Sequence, residues 1–205
     1  MPYKSVEDIA TYYIQEMKKI QPEGPYCLGA YCDFGEVALE MAQQLTAKGE
    51  KVSFLALFDF YHPTAIKPIN NPIDFYKERL KHYYRELKSI SIKEKASLLY
   101  QFIHRKLRKV KKRTSKAVHI KLHNLPKIKG YLIAKNLYTA KPYNGKVLLF
   151  RSTIRTAIRS DDPWMGWFNY FTGKVELYTI DGDHKTMFKE PGAVQIAEKL
   201  KTNID

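Results

Sequence analysis

Two side chains capable of covalent chemistry stand out by where the chain places them. Cys32 follows a short apolar strand, about Tyr26–Tyr31, in a tight turn that runs into a helix on which Val37, Met41 and Leu45 recur at helical spacing. Asp59 ends the unbroken apolar run from Val52 to Phe58. A run apolar at every position fits a strand covered on both faces, as in a parallel sheet, and Gly49 stands where the intervening helix would stop. In a strand–turn–helix–strand unit of this kind, reacting groups gather at the carboxyl ends of the strands. A thiol and a carboxylate are therefore expected on one edge of one sheet.

Each residue also has a plainer explanation. Free cysteine is often just a small buried apolar group, and Asp59 ahead of Phe60-Tyr61-His62-Pro63 could merely cap a turn. A histidine at the same edge bears on the choice. His184 closes the loop Asp181-Gly182-Asp183-His184 after the last strand and before a closing helix of about Gly192–Lys201, which turns it toward the carboxyl edge. His62, His82, His104, His119 and His123 lack such a setting.

The stretch from Gly24 to Asp59 resembles the core of the thioesterase domains that end nonribosomal peptide and polyketide synthetases, which are α/β-hydrolases. The resemblance continues through AKNLYTAKPYNGKVLLFRS and GDHKTMFKEPGAVQIAEKL. It implies a nucleophile on the sharp turn, an Asp at the end of the next strand and a His in a loop near the C-terminus, and Cys32, Asp59 and His184 match these in order. The implied activity is release of an acyl or peptidyl chain from a carrier-protein phosphopantetheine thioester by a Cys-His-Asp triad. The alternative is a non-catalytic binding module of the same fold whose basic helices hold an acidic carrier domain or nucleic acid.

The turn departs from the family pattern. Small residues two before and two after the nucleophile normally let the strand and helix pack closely, whereas this chain has Ala30 and Phe34 there, with Gly29 and Gly35 one step further out. Asp33, whose backbone N–H would be an oxyanion donor, adds a negative charge beside Cys32 that opposes thiolate formation. The family also has further strands upstream, with a loop that supplies a second oxyanion donor, and this chain starts after them. The expected fold is a truncated α/β-hydrolase with about four parallel strands: Tyr26–Tyr31, Val52–Phe58, Val147–Arg151 and Val175–Ile180. The first is left with an unpaired edge for a homodimer partner or an upstream segment to cover. Activity reduced or lost by truncation is expected.

Around this core, Ser5-Val6-Glu7-Asp8 reads as a helix start, with Val6, Ile9, Tyr13, Met17 and Ile20 as its apolar face and Pro22, Gly24 and Pro25 as its end. Pro63, Pro68 and Pro72 lead out of the sheet into helices at about Asp74–Leu87 and Lys93–Val110, and an apolar, basic helix from Ile128 to Tyr138 leads back. This insertion, about residues 64–137, sits where the family carries its lid within a single domain of residues 1–205. The chain carries a net charge of +14, and residues 77–129 hold 18 Lys and Arg against three acidic residues, so the whole excess lies in the insertion. The bland interpretation is a solvated lid face. A sharper one is docking of an acidic carrier domain, with Arg105, Arg108, Lys109 and Lys112 among the steering residues. Nucleic acid ranks below both, since no recognised motif accompanies the patch.

At 205 residues and 44% hydrophobic composition, the chain can build one real core. No apolar stretch approaches a membrane span, and MPYKSVED holds no signal-peptide core, so a cytoplasmic protein is expected. Cys27 and Cys32 read as free thiols, Trp164 and Trp167 as packing residues, and no cofactor is expected because phosphate-binding, dinucleotide and metal motifs are absent.

Overall fold

The computed structural model describes residues 5–65, 131, 133–154 and 162–204. Helix α1 (Val6–Ile20) leads into strand β1 (Tyr26–Tyr31), a 3-10 turn (Cys32–Phe34), helix α2 (Gly35–Ala47) and strand β2 (Val52–Phe58). Residues 131 and 133–137 are helical, and strands β3 (Val147–Ile154) and β4 (Val175–Asp183) and helix α3 (Gly192–Lys201) follow. The four strands form one parallel sheet in the order β1-β2-β3-β4. Among the described residues β1 has a neighbour on one side only, as the sequence predicts. The helices expected at about 74–87 and 93–110, and with them Arg105, Arg108, Lys109 and Lys112, lie outside the described residues.

The continuous apolar run of β2 serves two cores at once. Leu55 and Leu57 pack with Leu39 and Leu45 of α2 and Ile14 of α1, while Phe54, Ala56 and Phe58 cluster with Ile196 of α3 and with Met187 in the turn before it. β3 divides in the same way, Val147 and Leu149 against Leu148 and Phe150. Each fully buried aliphatic or aromatic side chain contributes about 1.5–3 kcal/mol relative to exposure, so both faces of these strands are strongly specified. Gly49 takes a φ of 77° just past α2, as its position predicts.

Three expectations need correction. α1 buries Val6, Ile9, Ala10 and Ile14, whereas Tyr13 and Ile20 are exposed; the stripe that meets α2 follows the next row of the helix, and Tyr13 instead packs edge-on against Tyr12. Ser5 does cap this helix, its hydroxyl accepting from the Asp8 N–H at 3.1 Å. β3 runs three residues beyond Arg151, and β4 runs through Asp183. Thr153 and Gly182 exchange hydrogen bonds of 3.1 and 3.2 Å and so prolong the pairing past the apolar segments on which the boundaries were read. Among the described residues no helix is long and apolar enough to cross a membrane.

Candidate active site

Three non-glycine residues among those described take positive φ: Cys32 (56°), Asp59 (48°) and Met165 (53°). Such backbone costs energy for residues with a Cβ and tends to collect where a side chain must be aimed. Two of the three are the residues that the sequence places at the carboxyl edge, each ending its strand as predicted. Cys32 is half-buried and begins the 3-10 turn that continues directly into α2.

Close packing behind this turn depends on Gly35. A Cβ there would lie 2.3–2.5 Å from ring atoms of Phe60, itself buried and stacked on Trp167 at 4.5 Å. Trp167 donates from Nε1 to the Phe60 carbonyl at 2.9 Å, so it is a packing residue, as expected. Phe34 avoids the neighbouring strand by turning outward: it is 59% exposed and stacks on Tyr131 at 5.3 Å. The small residue required at the turn is thus one position later than the family pattern suggests. Asp33 does not leave its charge uncompensated either, because Lys135 binds its carboxylate and Tyr131 donates to its carbonyl oxygen.

Asp59 is buried, and its carboxylate accepts from the Ser152 N–H at 2.8 Å, the Ser152 hydroxyl at 2.8 Å and His184 Nδ1 at 3.0 Å. A carboxylate removed from water needs such partners, since an unpaired buried charge costs several kcal/mol. Ser152 escaped the sequence reading, which ended its strand at Arg151. The available signal was a serine two residues past the apolar segment Val147–Phe150 of β3, the strand that pairs with β2 up to Phe58.

His184 is fixed by its own turn and by β1. The Asp183 carboxylate accepts from the backbone N–H groups of Lys185 (2.9 Å) and Thr186 (2.8 Å), an Asx-type turn that sets the loop. Tyr31, immediately before Cys32, stacks on the His184 ring at 4.5 Å and donates its hydroxyl to the His184 carbonyl. The imidazole therefore lies against the residue that precedes the thiol, with Nδ1 directed to Asp59. His62, by contrast, stacks on Tyr170 and bonds Thr64 Oγ1 through its own Nδ1, and burial lowers its pKa.

A parallel sheet flanked by helices, with strained residues following β1 and β2, fits an α/β-hydrolase of the thioesterase type. The thioesterase domain family matches residues 1–204, and the chain belongs to it. A dimodular nonribosomal peptide synthase of Bacillus subtilis (strain 168) is 29% identical over 210 residues; the match takes in 98% of this chain and 8% of that protein. A non-reducing polyketide synthase of Aspergillus ustus, stmB, is 48% identical over 59 residues, 29% of this chain and 3% of that one. The chain thus spans a small fraction of the length of these relatives. Among solved structures, the NocB thioesterase domain in covalent complex with a fluorophosphonate nocardicin G analogue superposes with a TM-score of 0.62 at 21% identity, over 99% of this chain and 76% of that one. A four-domain nonribosomal peptide synthetase bound to AMP and glycine gives 0.65 at 20% identity, over 97% and 16%. At these identities the structural likeness is one of fold.

Proposed function

We propose that the chain releases an acyl or peptidyl group from the phosphopantetheine thioester of a carrier protein, with Cys32 as nucleophile, His184 as general base and Asp59 as the residue that orients it. The hydrogen bond from His184 Nδ1 to the buried Asp59 carboxylate carries this reading, because it leaves Nε2 as the proton acceptor. The Cys32 thiol gives its proton to Nε2 and the sulfur attacks the thioester carbonyl. The tetrahedral intermediate collapses by expelling the pantetheine thiolate, which takes the proton back from His184. Water or a nucleophile within the acyl chain, deprotonated by the same imidazole, then attacks the acyl-enzyme. The Asp33 N–H, in the first turn leading to α2, is the oxyanion donor; helix-initial N–H groups have no partner within the helix and suit this task. Where such a donor has been removed elsewhere the rate falls about a hundred- to a thousandfold.

Residues 64–137 act as the lid of a single domain in this proposal, and their basic residues, Arg105, Arg108, Lys109 and Lys112 among them, attract the acidic carrier. The open side of β1 is the place for a further strand, from a longer protein or from a second copy. Hydrolysis of an acyl-pantetheine thioester, compared with the acyl group presented on a carrier domain, tests the reading. Cys32→Ala should abolish both reactions, and raised salt should weaken only the second. Salt-sensitive carrier binding without turnover, unchanged in Cys32→Ala, would instead identify a binding module.

A further inference from the structure

The turn that carries Cys32 is acidic. Asp33 follows the thiol directly and Glu36 lies at the start of α2, and among the described residues one cation pairs with both. Lys135 Nζ hydrogen-bonds Asp33 Oδ1 and stands 3.6 Å from Glu36 Oε1, its side chain only 20% exposed. From the same helical segment, Tyr131 holds the Asp33 carbonyl and stacks on Phe34.

Like charges beside a thiol disfavour its ionisation, and a cation favours it. Burial alone would pull the Lys135 ammonium down, but the Asp33 hydrogen bond and the charges of Glu36, Asp33 and Cys32 hold it above its ordinary value, so it stays charged wherever a thiol titrates. Burial pushes Glu36 up, with Lys135 opposing. The other titratable groups around the turn are Tyr131, which burial, Glu36, Asp33 and Cys32 keep protonated, together with His184 beside Tyr31 and the Asp59 that His184 bonds.

We propose that Lys135 is a positioning residue for the nucleophile: its ammonium, held between Asp33 and Glu36, offsets the acidic charge beside Cys32 and favours ionisation of the thiol for attack on the thioester. This rests on the reading of Cys32 as nucleophile. It also gives the segment returning from the insertion a chemical task, since the chain that would form the lid re-enters the domain through the residue that balances the turn.

The test is alkylation of the full chain by iodoacetamide at a series of pH values, with each cysteine followed by mass spectrometry. The thiolate displaces iodide, so the rate reports ionisation, and Cys27, exposed on β1, serves as an internal control. Lys135→Met should raise the midpoint of Cys32 alkylation and slow the reaction about tenfold below it, with Cys27 unaffected. Lys135→Arg should stay close to the parent, and adding Asp33→Asn to Lys135→Met should bring the midpoint most of the way back. A Cys32 midpoint that stays put in Lys135→Met, or that moves together with Cys27, overturns the proposal. A shifted midpoint in a protein that never takes an acyl group on Cys32 would count against the thioesterase reading and leave the role of Lys135 in setting the thiol intact.

Discussion

Ser152 holds Asp59 twice, once through its N–H and once through its hydroxyl. Ser152→Ala keeps the first bond and removes the second, leaving a buried carboxylate one donor short. Hydrogen bonds to charged groups are worth about 1.5–3 kcal/mol, so urea unfolding should show a loss of that size, and thioester turnover should fall through kcat more than KM because the Asp59 carboxylate that orients His184 is held less firmly. The positions of Cys32 and Asp59 were legible in the sequence because each follows a recognisable strand, while His184 was singled out among the histidines by its loop together with the family resemblance. Ser152 was not, because which residue of β3 lies beside Asp59 depends on strand register, and register is fixed by packing across the sheet.

At the scale of elements, the close approach of α2 to the chain after β2 is the feature that seats the nucleophile turn. Gly35→Ala would drive a methyl into the Phe60 ring, which Trp167 holds from the other side. Overpacking of this kind costs about 1–3 kcal/mol, and Phe60→Leu in the same chain should recover part of it in thermal melts. The sequence points to Gly35 as one of two flanking glycines but cannot show that it, and not residue 34, faces the strand end, since that depends on the 3-10 turn rotating α2 by its first residues. The face of α1 was misjudged for a related reason: two helical rows of similar apolarity compete, and contact with α2 selects the row of Ala10 and Ile14. Glu36 offers a titration test at this scale. Its folded pKa lies above the ordinary 4.5, so its ionisation opposes folding as pH rises through the raised value, and the penalty is absent below 4.5. Glu36→Gln should remove this component from the pH dependence of the unfolding free energy.

Across the whole molecule, the sheet leaves β4 as one border and β1 as the other among the described residues. On β4 the Lys174 hydrogen bond, with that of Tyr178 and the charge of Lys146, pushes the Glu176 carboxyl down to about 2. A depressed folded value means that this group stabilises the fold above its unfolded value near 4.5, and that the contribution is lost as pH falls toward 2. Glu176→Gln should therefore flatten the loss of stability across that window, a direction opposite to that of Glu36 and measurable by urea unfolding at each pH. The fold as a whole was readable because continuous apolar strands alternating with amphipathic helices leave few alternatives to a parallel sheet. The net charge of +14 was equally plain, but its concentration in residues 77–129 makes it a property of the insertion and says little about the sheet.

The proposed function turns on a single covalent event at the sulfur of Cys32. Incubation with an acyl-pantetheine thioester, followed by rapid acid quench and peptide mass spectrometry, reads that event directly. The proposed function predicts the acyl mass on the peptide containing Cys32, far slower loading in His184→Ala, and none in Cys32→Ala. Acylation confined to Cys27, or an unmodified Cys32 at every pH while the protein stays folded, would contradict it.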